Sequence, residues 1–410
     1  MDLSRRLYYF DSHLMQFDAI VIQASRRDDE HYELVLDKSA FYPTSGGQPH
    51  DVGTLNDTRV IEVLIRDEEV VHVVENEIPV GTPVHGVIDW GRRLDHMQHH
   101  CGQHILSAAF EQLFDLDTVG FHMSEHAVTV DIATPSLEAA DLARAEQLAN
   151  QIVFENRSVT AQFVDTAALS GLFLRYPPKV DEHIRIVTID GFNDNACGGT
   201  HPKRTGEIGL IKVTRQEKVR NATRLTFVCG TRALRDYDGR VQVTQQLTSQ
   251  LSVEWEKLPP VVAAQLAEGA EQKRTTQRLL RSLAEYHAKE QLQLHMDELL
   301  THRVAIARFE DCSDAETWKI TFRAFQEHAT DLVPDRTVIA VAEFSGRVHI
   351  QGQSTGQVDM RQLLAQLLAE VDGRGGGNAQ LAQGSAPSSG DRNLIWYEER
   401  IRRLVSELAE

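Results

Sequence analysis

Two pairs of residues in this 410-residue sequence have the types and spacing of metal ligands. His100 and His104 stand four residues apart in the motif HHCGQH, so on a helix they project from the same face. Cys197 and His201 repeat this spacing in the motif CGGTH, whose glycines allow the backbone to turn tightly around a centre. One cysteine and three histidines favour zinc over magnesium or calcium. We therefore predict a Zn²⁺ cofactor at these four residues.

Neighbouring residues offer alternative ligands. His99 and Cys101 flank the first histidine, but successive residues diverge by about 100° around a helix, which turns both away from the shared face. His96 lies one turn earlier on that face. It is therefore an alternative ligand, or a residue that forms a hydrogen bond with a ligand. Four protein ligands are typical of structural zinc, whereas a catalytic site keeps one open position. We therefore expect one ligand to be weakly bound, with His201 or a water at that position.

A glycine-rich loop with the sequence FYPTSGGQPH occupies positions 41–50. Its proline and paired glycines favour a tight turn with exposed backbone amides, so the loop can approach a ligand closely. Hydroxyl and amide side chains beside the turn could recognise a polar group or orient a water. A Gly-Gly hairpin is more often only a hairpin. The candidate substrate-binding residues are Thr44, Ser45, Gly46, Gly47 and Gln48.

The pattern of apolar residues predicts the elements that position these candidates. From Phe17 to Trp90, short alternating runs separated by Asp, Asn and Gly predict a small antiparallel barrel or sandwich. From Gly91, apolar residues at helical spacing predict the helix that carries the first histidine pair. A second helix, further strands and the CGGTH turn complete an α+β region.

The remainder of the chain reads as a connector and a separate domain. A charged helical stretch after Pro259 and Pro260 has irregular heptads and predicts a helical connector. Beyond Arg303, strands alternate with helices, as in an α/β domain. The predicted fold class is α+β, with four parts: an N-terminal β-barrel (1–90), a zinc-binding α+β domain (91–245), a helical connector (246–302) and a C-terminal domain (303–410).

The formal charge of −18 argues against a protein that coats nucleic acid with a general basic surface. Any RNA contact must be local, and the best local cluster follows CGGTH, although a solvated strand face explains it about as well. No apolar run approaches a membrane span, no secretory signal opens the chain and four scattered cysteines do not form a disulfide framework. We expect a cytoplasmic protein. The candidate RNA contacts in this cluster are Lys203, Arg204, Lys212 and Arg215.

Three motifs, in their order and spacing, closely resemble the alanyl-tRNA editing proteins, free-standing relatives of the editing domain of alanyl-tRNA synthetase. They are FYPTSGGQPHDVG, HCGQH and CGGTH. The C-terminal GRGGGNAQLAQGS resembles the glycine-rich terminal domain of that synthetase, so the likeness covers nearly the whole chain. Cys101 departs from the pattern, because threonine is common there. No adenylation core precedes these segments, so activation of alanine is not expected.

The resemblance implies roles for particular residues. His100, His104, Cys197 and His201 become the zinc ligands, and Thr44 and Gln48 become active-site positions. The terminal domain is implicated in tRNA binding and dimerisation, which makes a homodimer one assembly to test. Its glycine-rich segment, with candidate tRNA contacts of its own, contains Gly375, Gly376 and Gly377.

The expected function is zinc-dependent hydrolysis of the ester that joins a wrongly attached serine to tRNA(Ala). The glycyl ester is a second substrate to test. An apolar pocket for alanine excludes serine only about a hundredfold, so a second, hydrolytic site is needed. Zinc could polarise the ester, activate a water or hold the amino group, and the sequence leaves these open. One alternative is a manganese phosphoesterase with a similar terminal domain, but Met97 breaks its Asp-His-His signature. Another is a non-catalytic tRNA-binding protein with structural zinc.

Overall fold

A computed structural model describes residues 3–28, 30–125, 127–165, 169, 174, 183–356 and 358–409. The chain divides into two compact units, residues 1–247 and 248–410. Within the described residues, no helix is both long enough and apolar enough to cross a membrane.

The first unit begins with a closed six-stranded barrel, in the strand order β1-β2-β5-β4-β3-β6. Alternate side chains of its strands are buried, as the period-two pattern predicts. The glycine-rich loop lies between β2 and β3. The strands are β1 (Gln16–Arg26), β2 (Tyr32–Leu36), β3 (Gly53–Leu55), β4 (Thr58–Arg66), β5 (Glu69–Val74) and β6 (Pro83–Ile88).

Two helices and two small sheets complete the part of this unit that carries the candidate site. One sheet has the order β11-β10-β9 and the other β12-β13-β8-β7. Their apolar faces share one core with α1 and α2. The elements are α1 (Trp90–Phe114), β7 (Thr118–Met123), β8 (Val128–Ile132), α2 (Ala139–Phe154), β9 (Val159–Val164), β10 (Ile184–Ile189), β11 (Asn193–Ala196), β12 (Ile211–Val219) and β13 (Ala222–Cys229).

A buried ion pair fastens the glycine-rich loop to α1. Arg93 donates from Nε to both carboxylate oxygens of Asp51, at 3.0 and 2.9 Å, and both side chains are fully buried. Asp51 also accepts from the backbone N–H of Tyr42 at 2.6 Å, and Arg93 donates to the carbonyl oxygen of Ala40 at 2.6 Å. Because breaking a buried pair leaves an uncompensated charge, this link holds the loop firmly against the helix.

The second unit is a five-stranded sheet in the order β14-β15-β16-β18-β17, with an apolar core on each face. Only β14 and β15 pair in parallel among these neighbours. A long helix, α3, contains the boundary between the two units. The elements are α3 (Gly230–Leu251), α4 (Leu258–Leu294), α5 (Met296–His302), β14 (Val304–Phe309), α6 (Ala315–Leu332), β15 (Thr337–Phe344), β16 (Arg347–Ser354), α7 (Met360–Glu370), β17 (Arg374–Gly377), β18 (Leu381–Pro387) and α8 (Leu394–Ala409).

The mixed α+β class and the N-terminal barrel are confirmed by this architecture. The helical stretch expected to be a connector has a second role, because Ala284, Ala288 and Leu292 of α4 lie in the same core as α6 and β14. Sequence periodicity alone does not reveal which other element an apolar stripe will contact. The division into four parts stays a prediction.

Candidate metal centre and glycine-rich loop

Helix α1 carries the first pair of candidate ligands. Asp89 caps its start by accepting a hydrogen bond from the backbone N–H of Arg92 at 3.0 Å. Ile105 and Leu106 are fully buried in the core. Their packing fixes the rotation of the helix, and so the face on which His100 and His104 lie.

The β10–β11 hairpin delivers the second pair. Ile186 pairs with Ala196, and the backbone N–H of Cys197 then donates to the carbonyl oxygen of Arg185 at 3.0 Å. The chain turns immediately afterwards through the two glycines of CGGTH. At the far end of this turn, the carbonyl oxygen of His201 accepts from the hydroxyl of Ser12 at 2.6 Å.

The structure brings all four candidate ligands together. One ligand atom from each of His100, His104, Cys197 and His201 lies within 4.8 Å of the others. The sulfur of Cys197 is 3.4 Å from Nε2 of His100 and 3.3 Å from Nε2 of His201. Ligand atoms at the corners of a zinc tetrahedron are about 3.3–3.6 Å apart, given bonds of about 2.0–2.3 Å. The donor set therefore fits an ion of this kind.

Burial keeps the three imidazoles neutral, as metal ligands must be. It lowers the pKa of His104 to about 4, and it lowers the pKa values of His100 and His201 well below their ordinary range. In the described part of the chain, Nε2 of His104 is buried without a hydrogen-bond partner. Such a nitrogen is costly to bury unless something accepts its lone pair, and a metal ion would do so.

Gln48 connects the glycine-rich loop to the cluster. Its side-chain oxygen lies 2.8 Å from Nδ1 of His100 and accepts from the backbone N–H of Thr200 at 3.1 Å. Its side-chain nitrogen donates to the hydroxyl of Thr200 at 2.8 Å. Because a carbonyl oxygen only accepts, Nδ1 of His100 carries the proton and Nε2 presents a lone pair to the cluster. Gln48 thus fixes both the tautomer and the orientation of one candidate ligand.

Thr44 is exposed, and its hydroxyl is oriented by His50. Nε2 of His50 lies 3.2 Å from the carbonyl oxygen of Ile61, so this nitrogen carries the proton and Nδ1 is an acceptor. Burial and the nearby Arg92 lower the pKa of His50, which favours this neutral form. The hydroxyl of Thr44 then donates to Nδ1 at 3.0 Å and accepts from the backbone N–H of His50 at 3.1 Å. Among the described residues, nothing donates to the second lone pair of the Thr44 oxygen, which can therefore accept from a ligand.

The other loop residues have distinct settings. Ser45 and Gln48 exchange backbone hydrogen bonds of 3.1 and 2.9 Å, which close the turn. Gly46 and Gly47 both have positive φ, of 57° and 84°, as the paired glycines of a tight turn require. A Cβ on Gly47 would lie 3.1 Å from the ring of Phe121.

Several site residues were not identified from the sequence. Phe121 stacks on His100 with ring centroids 5.6 Å apart, Arg185 donates to the carbonyl oxygen of Gly199, and the backbone N–H of Thr200 donates to the side-chain oxygen of Gln48. Thr200 lies inside the CGGTH motif, so the sequence could have identified it as a candidate site residue. Phe121 and Arg185 stand on strands without any motif, and only the tertiary fold brings them to the cluster.

The alternative ligands occupy other settings. His99 lies 3.0 Å through Nε2 from the backbone N–H of Cys229 and 2.8 Å through Nδ1 from the carbonyl oxygen of Asp95, so both ring nitrogens have partners. Cys101 packs in the apolar core. His96 is buried but is not among the four residues whose ligand atoms converge.

The basic residues predicted to contact tRNA are exposed, but acidic neighbours offset much of their charge. Lys203 pairs with Asp11 at 3.0 Å, and Arg215 pairs with Glu217 at 2.8 Å. Lys212 pairs with Glu146, and Arg204 donates to the carbonyl oxygen of Asn156 at 3.1 Å. The local positive field is therefore weaker than the sequence suggests.

The predicted glycine-rich tRNA contacts form an exposed strand rather than an open loop. Gly375 and Gly377 face β18, where an added Cβ would lie 2.5 Å from the carbonyl oxygen of Gln383 and 2.3 Å from that of Leu381. An added Cβ on Gly376 would have no atom within 4 Å. Close packing of two strands therefore explains two of these glycines without a ligand.

Three family profiles match separate segments of the chain. Residues 184–224 match the second additional domain of threonyl and alanyl tRNA synthetases, residues 10–92 match class II (A) tRNA synthetases and residues 315–410 match the DHHA1 domain. The first segment contains CGGTH, and the second contains the glycine-rich loop.

Individual relatives agree with these profiles. The alanyl-tRNA editing protein AlaX-L of Pyrococcus horikoshii is 30% identical over 97% of this chain and 98% of its own length. The alanine–tRNA ligase of Korarchaeum cryptofilum is 30% identical over 94% of this chain, which spans only 43% of that ligase. The alanyl-tRNA editing protein Aarsd1 of Mus musculus is 33% identical over 50% of each chain. The near-complete match to the first relative, together with the ordered motifs, shows that this chain belongs to the alanyl-tRNA editing protein family.

Proposed function

We propose that the protein hydrolyses the ester that joins serine to tRNA(Ala), and that it also acts on the glycyl ester. Membership of the family makes the chain an aminoacyl-tRNA hydrolase, and the wrongly charged tRNA(Ala) is its substrate class. The observation that carries the proposal is the convergence of His100, His104, Cys197 and His201 beside the glycine-rich loop. A metal centre next to a loop with free hydrogen-bonding groups offers both an electrophile and a means of recognition.

We propose zinc as the metal, because three imidazoles and one thiolate suit its tetrahedral preference. When bound there, zinc would supply a Lewis acid or a holder for the amino group of the substrate. His100 is the most firmly held ligand, since Gln48 fixes its ring at 2.8 Å. Nδ1 of His201 is buried without a partner within the described residues, so we propose His201 as the ligand that yields to a water or to substrate.

The direct test is an assay of ester loss with purified seryl-, glycyl- and alanyl-tRNA(Ala). We expect the seryl ester to disappear fastest and the alanyl ester slowest. The same assay after removal of metal with a chelator should show slow hydrolysis of every ester, restored by added zinc. Full activity in metal-free protein would eliminate the metal-dependent mechanism, and equal rates on all three esters would eliminate the editing role.

Selectivity for serine is proposed to come from the hydroxyl of Thr44. Its oxygen keeps one free lone pair, because its proton goes to His50 and its other lone pair accepts from the His50 backbone. The hydroxyl of a seryl ester can donate to this lone pair, whereas an alanyl ester has nothing to donate. A bound metal ion, by contrast, would contact groups that both esters share.

Thr44→Val should lower the ratio of seryl to alanyl hydrolysis roughly threefold to tenfold. Valine keeps the shape but removes the oxygen, and one hydrogen bond to a neutral partner contributes about 0.5–1.5 kcal/mol. The measurement is kcat/KM for each ester. Thr44→Ser, which retains the hydroxyl, is the matched control and should keep the ratio. If Ser45→Ala lowers the ratio and Thr44→Val does not, the role passes to Ser45.

The C-terminal unit is proposed to contribute tRNA affinity rather than chemistry. The convergent histidine and cysteine side chains all precede it, and its residues 315–410 match the DHHA1 domain. A chain ending at residue 247 should therefore show a raised KM for the tRNA with its metal content intact. An unchanged KM would assign tRNA binding to the first unit, where Lys203, Arg204, Lys212 and Arg215 are the proposed contacts.

A further inference from the structure

Arg185 is a buried cation beside the candidate metal centre. It stands on β10, and only 7% of the residue is exposed. No ion pair joins its guanidinium to a carboxylate in the described part of the chain, and its Nε is buried without a hydrogen-bond partner there. The guanidinium lies 5.4 Å from the centre of the Tyr9 ring. Within the described residues, therefore, no carboxylate compensates this buried arginine.

The contrast with Arg93 shows why this setting is unusual. Arg93 is fully buried, but Asp51 compensates its charge at 2.9 Å. A buried charge is strongly destabilising unless it is paired or well hydrogen-bonded. Among the described residues, the groups that act most strongly on Arg185 and can carry negative charge are the thiol of Cys197 and the phenols of Tyr8, Tyr9 and Tyr42. Of these, only the cysteine becomes an anion through its role as a metal ligand.

The hydrogen bonds of Arg185 reach the same turn. Its Nη1 donates to the carbonyl oxygens of Cys197, at 3.0 Å, and Gly199, at 2.8 Å. The backbone N–H of the same residue, Gly199, donates to the Cys197 sulfur at 3.4 Å. Arg185 thus fixes the backbone of Cys197 and also that of Gly199, whose N–H donates to the Cys197 sulfur.

We propose that Arg185 is a positioning residue for the metal centre: it balances the charge of the Cys197 thiolate and holds the CGGTH turn in its metal-binding shape. The inference rests on the metal centre of the proposed function. It adds a residue that touches neither metal nor substrate but sets how tightly the ion is held.

Arg185→Met tests the charge, because methionine fills much of the space without carrying a cation or a donor. Loss of a residue that orients a ligand typically costs 10–100-fold in metal affinity. We expect Zn²⁺ binding, measured by competition with a chelator in the full chain, to weaken by about this factor. Arg185→Lys keeps the charge with fewer donors, so its loss should be clearly smaller.

Substitution of Co²⁺ provides a second readout that a purely structural role would not change. A cation near a thiolate stabilises its filled orbitals, so Arg185→Met should shift the sulfur-to-cobalt charge-transfer band to longer wavelength. Arg185→Lys should leave the band near its wild-type position. If Arg185→Met does not fold, Arg185→Gln, which also removes the cation, takes its place: a band at longer wavelength supports the proposal, and an unchanged band overturns it.

Arg157→Met is the matched control. Arg157 also donates from Nη1 to two turn carbonyl oxygens, those of Asp190 and Gly191, and its guanidinium lies 5.9 Å from the Phe192 ring. Unlike Arg185, it pairs with a carboxylate, Glu155. We expect this variant to retain wild-type Zn²⁺ affinity and the wild-type Co²⁺ spectrum.

Three results would overturn the inference. They are wild-type Zn²⁺ affinity in Arg185→Met, equal losses in Arg185→Met and Arg157→Met, or equal losses in Arg185→Met and Arg185→Lys. None of these readouts uses tRNA. A wild-type protein that binds Zn²⁺ but leaves all esters intact would therefore refute the proposed function and not the inference. A wild-type protein without the thiolate band would refute the ligand set on which both depend.

Discussion

Cys197→Ala should lower hydrolysis of the seryl and alanyl esters together, by roughly a hundredfold to a thousandfold. The sulfur lies within 3.4 Å of ring nitrogens from His100 and His201, and it is the anionic donor of the four candidate ligands. It also accepts from the Gly199 N–H, so its loss loosens the turn as well. Lewis-acid stabilisation of several kcal/mol depends on a firmly held ion, and about 1.4 kcal/mol corresponds to tenfold in rate.

The pattern of the loss is as informative as its size. Cys197→Ala should keep the seryl-to-alanyl ratio, whereas Thr44→Val should change the ratio and leave much of the rate. Elemental analysis should find about one zinc per chain in the wild type, and much less in Cys197→Ala. Selective loss of one ester in Cys197→Ala would contradict this assignment.

Cys101→Ala is the control for this experiment. Cys101 follows a candidate ligand directly, but it is fully buried in the apolar core and does not belong to the convergent set. Its replacement should cost a little stability, through the small cavity, and should leave metal content unchanged. Equal loss of metal in both cysteine variants would make Cys101 a candidate ligand in the HHCGQH motif and contradict this assignment.

Local patterns were enough to predict much of this site. The spacing of His100 and His104 on a helix, and the glycines beside Cys197, are properties of short segments, and the structure brings these segments together. Helical geometry alone predicted that His99 and Cys101 point away from the helix face that carries the candidate ligands. Short-range rules can single out this cluster because the candidate ligands come in pairs four residues apart.

The partners of these residues depended on tertiary structure. Arg185 and Phe121 stand on strands, where the alternation of apolar and polar residues predicts only which side chains are buried. No neighbouring residue in the sequence indicates that they contact His100 or the CGGTH turn. The acidic partners of the basic cluster also lie far away in the sequence, since Glu146 and Asp11 come from distant parts of the chain to pair with Lys212 and Lys203. Such contacts require knowledge of which elements become neighbours.

Gly199→Ala is expected to weaken metal binding about a hundredfold, although it adds only one methyl group. A Cβ at this position would lie 2.2 Å from Cε1 and 2.4 Å from Nδ1 of His100, and 2.9 Å from the side-chain oxygen of Gln48. The His100 ring has little room to yield, because Phe121 stacks on it at 5.6 Å. The methyl group must therefore displace the ring, the turn or the Gln48 hydrogen bond, and each of these disturbs the ligand set.

Gly198→Ala separates this steric effect from backbone flexibility. Its Cβ would meet only the hydroxyl of Tyr9, at 3.8 Å, which is an ordinary contact. Neither glycine is among the residues with positive φ, so alanine fits the backbone conformation at both positions. If the motif needed its glycines for flexibility, the two variants would lose metal affinity alike. If Gly199 is needed for space beside His100, only Gly199→Ala will lose it, and Zn²⁺ competition on the two proteins distinguishes these explanations.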